Sequence, residues 1–232
     1  MRIGMVLTLA AFFASCSKST SPGGTAPTLN APTLSGPVSS ASADTSKAAY
    51  LADSIATTFD FTAGEYVSLL TGHTGSQSGS TWTWSYTDPQ TGLTITWTAT
   101  SVSNGYDWKL VENGTSSGIT FNNWTALNGY ESSDGKTGNW TLYYPGITQA
   151  ADSAAWSTDA NGTLSGTIVA YSTSGAIANT FVFTNDNIAN HTGDLKIYVG
   201  PVSTTYEDIS WTASGGTWTI YYDGVAVSQG SW

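Results

Sequence analysis

Hydrophobic and polar positions alternate with period two along most of the chain. Thr81-Trp82-Thr83-Trp84-Ser85-Tyr86, Thr94-Ile95-Thr96-Trp97-Thr98 and Tyr106-Asp107-Trp108-Lys109-Leu110 are strict cases. Further strand-like runs follow at 139–144, 164–171, 178–183, 195–199, 206–211 and 217–222. Asn104-Gly105, Asp134-Gly135, Asn161-Gly162 and Asp223-Gly224 punctuate them as hairpin turn signals. No helical periodicity lies between these runs, which excludes parallel β/α units. The expectation is a mainly β domain: one large antiparallel meander of about ten to twelve strands, forming a curved, barrel-like or half-barrel sheet.

A single helix is expected before the sheet, over 46–59. Ala48, Leu51, Ala52, Ile55, Ala56 and Phe59 follow the i, i+3, i+4, i+7 spacing of one helical face. Asp44, Thr45 or Ser46 can cap its N-terminus. Residues 17–43 are Ser, Thr, Pro, Gly and Ala with hardly a large apolar side chain. Such a composition buries too little surface to offset chain entropy, so a disordered tether is expected there.

The first residues form a separate unit. Met1-Arg2 supplies a positive charge, and an apolar stretch from Ile3 to Phe13 is too short to cross a bilayer as a helix. It ends in Phe13-Ala14-Ser15-Cys16, followed by Ser17-Lys18-Ser19. This resembles the lipobox of a bacterial lipoprotein signal peptide, with Phe13 where Leu is usual. The resemblance implies cleavage after residue 15 and a lipidated Cys16, the only cysteine in the chain. It further implies an outer-membrane anchor, because Ser rather than Asp follows the cysteine. The organisation expected is therefore a signal peptide (1–15), a lipidated tether (16–43) and one β domain (44–232).

Composition narrows the function. Charged residues make up only 9% of the chain, with 16 acidic against 6 basic side chains and a net charge of −10. Six basic groups cannot neutralise a phosphate track, so nucleic-acid binding is excluded. The 10 Trp, 12 Tyr and 7 Phe residues are dispersed among Thr, Ser, Asn and Gly, which excludes both a polytopic helical membrane protein and general disorder.

Candidate chemistry is sparse. His73 and His191 lie far apart in loop-like surroundings and lack further ligands at metal-binding spacing, so no metal site is expected. Asp159-Ala160-Asn161-Gly162 starts like a calcium loop without its later carboxylates and is expected to be a turn. No Gly-x-Ser-x-Gly elbow accompanies the histidines. Glycoside hydrolysis by two carboxylates leaves Glu112 and Glu207, each in phase with aromatic neighbours on its strand. The composition is similar to that of small β-jelly-roll xylanases, but the motifs around that family's glutamates are missing.

A non-enzymatic role, in ligand binding or as a structural surface protein of the envelope, is the better expectation, with no cofactor and a monomeric state. Trp82, Trp84, Trp97, Trp140, Tyr144, Trp218 and Tyr222 are the ligand-binding candidates, set against the simpler reading that each ring is core. Tyr143 and Tyr221 point to the opposite face from their neighbours, so one core does not need every ring. A curved sheet with its helix as plug could hold a hydrophobic ligand; that element order is similar to the periplasmic lipoprotein-carrier fold. An open aromatic face could instead bind polysaccharide. Gly138-Asn139-Trp140-Thr141-Leu142-Tyr143-Tyr144 is echoed by Gly216-Thr217-Trp218-Thr219-Ile220-Tyr221-Tyr222, which marks a recurring hairpin.

Overall fold

The computed structural model describes residues 25–30, 32–37, 52, 54–56 and 64–232. The signal-peptide segment, Cys16 and most of the expected helix over 46–59 lie outside the described residues. Ala52 and residues 54–56 are helical, as the periodicity requires, and Ala52 and Ala56 are buried.

Residues 64–68 form a second short helix, and from Ser76 to Ser231 the chain is one sheet whose spatial order is its sequence order. Its strands are β1 (Ser76–Ser78), β2 (Thr81–Thr87), β3 (Thr94–Val102), β4 (Gly105–Ser116), β5 (Ile119–Ser132), β6 (Thr137–Tyr143) and β7 (Ala150–Thr158). They continue with β8 (Leu164–Tyr171), β9 (Ile177–Asn187), β10 (Thr192–Val199), β11 (Tyr206–Thr212), β12 (Gly215–Tyr222) and β13 (Val225–Ser231). Every neighbouring pair is antiparallel, and β1 and β13 do not pair with each other, so the meander is open. The turn signals act as expected. Asp223 (φ 49°) and Gly224 (φ 77°) both take the positive φ that a tight β12–β13 hairpin needs.

The 13 strands among the described residues exceed the expected ten to twelve. The extra ones include β7, whose Ala-rich sequence carries little strand propensity. It is strand because β6 and β8 pair with it on both sides.

The two faces differ sharply. One carries cross-strand rows of apolar residues, such as Trp84, Trp97, Leu110, Leu127 and Leu142 on β2 to β6. The other is dominated by hydroxyls, with Thr81 bonded to Thr100 and Ser85 to Thr96, each at 3.1 Å. On the apolar face, indole rings lie over glycines of the neighbouring strand. A Cβ on Gly138 would come within 2.3 Å of the Trp156 ring, and one on Gly193 within 2.3 Å of Trp211. Gly230 stands in the same relation to Trp218, and Gly216 to Trp232. The recurring Gly-x-Trp hairpin is thus a packing unit in which each glycine makes room for an adjacent strand's ring.

The apolar face is covered in part by a segment expected to be disordered. Residues 25–30 and 32–37 lie on the sheet, with Leu29 2% and Leu34 6% exposed. Composition misled here because two leucines and the sheet's own buried carboxylates suffice to hold the segment down.

Candidate functional site

Two buried carboxylates organise the apolar face. Glu131 on β5 and Asp186 on β9 are each 1% exposed. Glu131 accepts the Asn30 backbone N–H at 3.1 Å and the Asn30 side-chain amide at 2.9 Å. Burial raises the Glu131 pKa, and the Asn30 donors pull it back. Asp186 accepts the Ser35 N–H at 2.9 Å and the Ser35 hydroxyl at 3.0 Å. Trp211 Nε1 donates to the Ser35 hydroxyl at 3.1 Å. Leu34 sits against Trp156, Leu164, Gly166 and Phe183, beside a residual cavity of about 10 Å³. That volume is no larger than one water.

The signal for this arrangement was present in the sequence as a tandem pentad. Ala26-Pro27-Thr28-Leu29-Asn30 is followed directly by Ala31-Pro32-Thr33-Leu34-Ser35. The sheet repeats in parallel: Glu131, Gly138 and Trp156 recur 55 residues later as Asp186, Gly193 and Trp211.

Most sequence-derived candidates are core. Trp82, Trp84, Trp97 and Trp140 are at most 7% exposed, and Trp97 is fully buried. They are therefore corrected from binding residues to core residues, because a sheet covered on one face uses its largest rings there. Trp84 stacks near Trp82 and Trp108, which in turn meets Trp97 edge-on. Trp218 is half-buried over Gly230. Tyr144 is half-buried and donates its hydroxyl to the Tyr171 carbonyl. Tyr222 is 63% exposed, beside its strand partner Val225.

The opposite face carries rings the candidate set omitted. Tyr198, Tyr206 and Tyr221 form a ladder across β10, β11 and β12. Tyr198 and Tyr206 have ring centroids 5.3 Å apart, and Tyr206 stacks on Tyr221 at 4.7 Å with an 18° interplanar angle. Lys196 Nζ lies 5.1 Å from the Tyr206 ring and 3.4 Å from Asp208. On the β13 side, the strand partner of Tyr221 is only Ala226. Toward the other end of β11 and β12, beside the turn that joins them, Asn185, Asp194, Ser210, Thr212 and Thr217 line a shallow groove of about 440 Å³. Period two gave the facing of Tyr221, but only the register aligns it with Tyr206 and Tyr198.

The two glutamates weighed for hydrolysis are not neighbours. Glu112 is on β4 and Glu207 on β11, seven strands apart in the sheet order. Glu112 groups instead with Glu65 and Asp152 around the Tyr66 phenol. Burial and the Asp88 charge push the Glu112 carboxyl up to about 7. Burial, then Glu112, Glu65 and Asp152, push Tyr66 up to about 12. Asp152 had no signal in the sequence, since it lies in the Ala-rich β7.

The remaining polar candidates are local. His73 stacks on Tyr86 at 3.5 Å, and burial lowers its pKa. His191 sits in the β9–β10 turn at φ 49°. Asp159 caps its own turn by accepting the N–H groups of Asn161 and Thr163. No group of three or more His, Cys, Asp or Glu residues suited to a metal ion occurs among the described residues.

Comparison of the chain with family models, curated proteins and solved structures finds no match.

Proposed function

We propose that the protein is a lipid-anchored envelope protein with a non-enzymatic β domain that binds polysaccharide on the open face of its sheet. The observation that supports this reading is the stacked pair Tyr206 and Tyr221, both half-buried on that face and flanked by Lys196 and Asp208, with the buried Tyr198 (6% exposed) backing Tyr206. Aromatic rings offer C–H stacking to sugars, and Ser210, Thr217 and Thr219 further along the same face suit hydroxyl recognition. Low charge fits a neutral ligand, which needs no electrostatic steering. The anchor rests on the lipobox resemblance at Cys16.

The hydrophobic-ligand reading has weaker support. The apolar face around β5 to β11 is occupied by the protein's own indoles and by residues 25–30 and 32–37.

A glycan array tests the binding. Wild type is expected to retain one class of neutral glycan, and Tyr206→Ala with Tyr221→Ala to weaken that binding at least tenfold. An array without hits, or retention unaffected by both substitutions, overturns the proposal.

A further inference from the structure

The open face of β11 and β12 is an uninterrupted strip. All seven residues of β11 pair with β12 without a register shift, from Tyr206–Tyr221 to Thr212–Gly215. Alternate pairs share the open face: Tyr206 with Tyr221, Asp208 with Thr219, Ser210 with Thr217, and Thr212 with Gly215. Six residue steps at ~3.3 Å make the strip about 20 Å long. A single sugar ring covers only a fraction of that length. The stacked tyrosines stand at one end, and the groove of about 440 Å³ beside the β11–β12 turn stands at the other.

The polar groups of this strip are left available. Elsewhere on the same face, cross-strand groups satisfy one another: Thr81 with Thr100, Ser85 with Thr96, Asn128 with Tyr143, and Ser153 with Tyr171. Among the described residues, no hydrogen bond joins Ser210 to Thr217 or Asp208 to Thr219, although each pair is directly opposed. Asp208 is held instead by Lys196 at 3.4 Å. The Ser210 and Thr217 hydroxyls therefore have a donor and acceptors to offer a ligand.

A bulge shapes the groove end. Thr184 opposes Asp194 and Asn187 opposes Thr192, so β9 carries one residue more than β10 in this interval. Alternation from the buried Phe183 would otherwise turn Asn185 to the covered face. With Asn185 at φ 56°, its side-chain amide instead donates to Asp194 Oδ2 at 2.9 Å. Asn185 thereby steadies the Asp194 carboxylate, whose second oxygen can accept from a ligand hydroxyl. A steadied acceptor beside two hydroxyls suits a neutral sugar. Because the Lys196 and Asp208 charges offset each other, Asp194 leaves the strip net negative, which disfavours acidic sugars.

On the basis of the polysaccharide reading, we infer that the groove and the tyrosine pair are two ends of one elongated site, which binds a linear, uncharged polysaccharide laid along β11 and β12. The groove is then a second subsite, some 20 Å of strand from the first at the ~3.3 Å rise per residue. Two linked subsites make affinity grow with chain length, because binding at one raises the effective concentration at the other.

Cello-, xylo-, manno- and malto-oligosaccharides, from disaccharide to hexasaccharide, are the probes for calorimetric titration of the full chain. In a series that binds, the hexasaccharide is expected to bind about tenfold more tightly than the disaccharide, or better. Asp194→Ala combined with Thr217→Val is expected to weaken hexasaccharide binding about tenfold and to leave disaccharide binding at the tyrosines unchanged. Tyr206→Ala with Tyr221→Ala should weaken both. Equal affinity for short and long members, or hexasaccharide binding unaffected by the groove variant, overturns the elongated site and leaves polysaccharide binding standing. Binding to none of the four series also overturns the elongated site, and the glycan array decides separately whether polysaccharide binding stands.

Should the groove variant fail to fold, amide chemical-shift mapping on the wild-type chain gives a second measurement. The hexasaccharide is expected to shift amides around both Tyr206 and Thr212, and the disaccharide only those around Tyr206. Hexasaccharide shifts confined to one end of β11 overturn the elongated site.

Discussion

Glu131 and Asp186 occupy equivalent places 55 residues apart in one continuous sheet. Each is followed seven positions later by a glycine (Gly138, Gly193). Each glycine lies under an indole eighteen positions further on (Trp156, Trp211). The strand pairings repeat as well: Gly138 faces Trp156, which faces Gly166, and Gly193 faces Trp211, which faces Gly216. The sheet is therefore built in part from a recurring carboxylate, glycine and tryptophan unit, and the N-terminal segment repeats to match it.

The buried leucines of that segment should contribute to stability as core residues do. Leu29→Ala and Leu34→Ala are each expected to cost about 2–5 kcal/mol, the usual range for truncating a buried leucine. Urea unfolding followed by tryptophan emission measures this. Costs near zero at both positions would show that the segment adds nothing to the fold.

The glycines under the rings should resist even the smallest side chain. Gly138→Ala and Gly193→Ala are each expected to destabilise by about 1–3 kcal/mol through overpacking. Neither glycine has a positive φ, so the cost comes from the ring and not from the backbone. Combining Gly138→Ala with Trp156→Leu should therefore cost less than the sum of the single changes, as coupled neighbours do. Strict additivity in a thermal-melt cycle would contradict this.

The carboxyl of Glu112 predicts a pH dependence. Its folded pKa stands at about 7, above the ordinary value of 4.5, so the folded state binds more protons than the unfolded state between those limits. Its contribution to stability is fully present below about pH 4.5 and is lost as pH rises through 7. Asp152 and Glu65 are raised by burial as well, and act in the same direction. Wild type should withstand more urea at pH 5 than at pH 8, and Glu112→Gln should narrow that difference. An equal difference in the variant would assign the effect to other groups.

The proposed anchor has a direct chemical test. Metabolic labelling with palmitate in a bacterial host is expected to mark wild type and to leave Cys16→Ala unlabelled. Equal labelling of both would remove the anchor from the proposal.

Local pattern made much of the sheet legible. Period-two alternation in β2, β3 and β4, and the Asp223-Gly224 turn, need no distant partner to be read, because pleat and turn geometry are set by adjacent residues. The strand-rich class and the meander followed from short turns between such runs. β7 was hidden because alanines become strand only when flanking strands supply the hydrogen bonds. The fate of each ring was hidden too. Alternation says that Trp218 and Tyr221 face opposite ways, but not which face will be covered.

What the sequence determined by itself is therefore local: the strands with strong alternation, the turns between them, the low charge and the scarcity of catalytic side chains. Tertiary structure decided which face became core, and so turned Trp82, Trp84, Trp97 and Trp140 into packing residues. It also aligned Tyr198, Tyr206 and Tyr221 into a ladder, and placed two carboxylates beneath a segment that composition alone marked as disordered. The physical reason is that burial and cross-strand register depend on residues tens of positions apart, which only the folded sheet brings together.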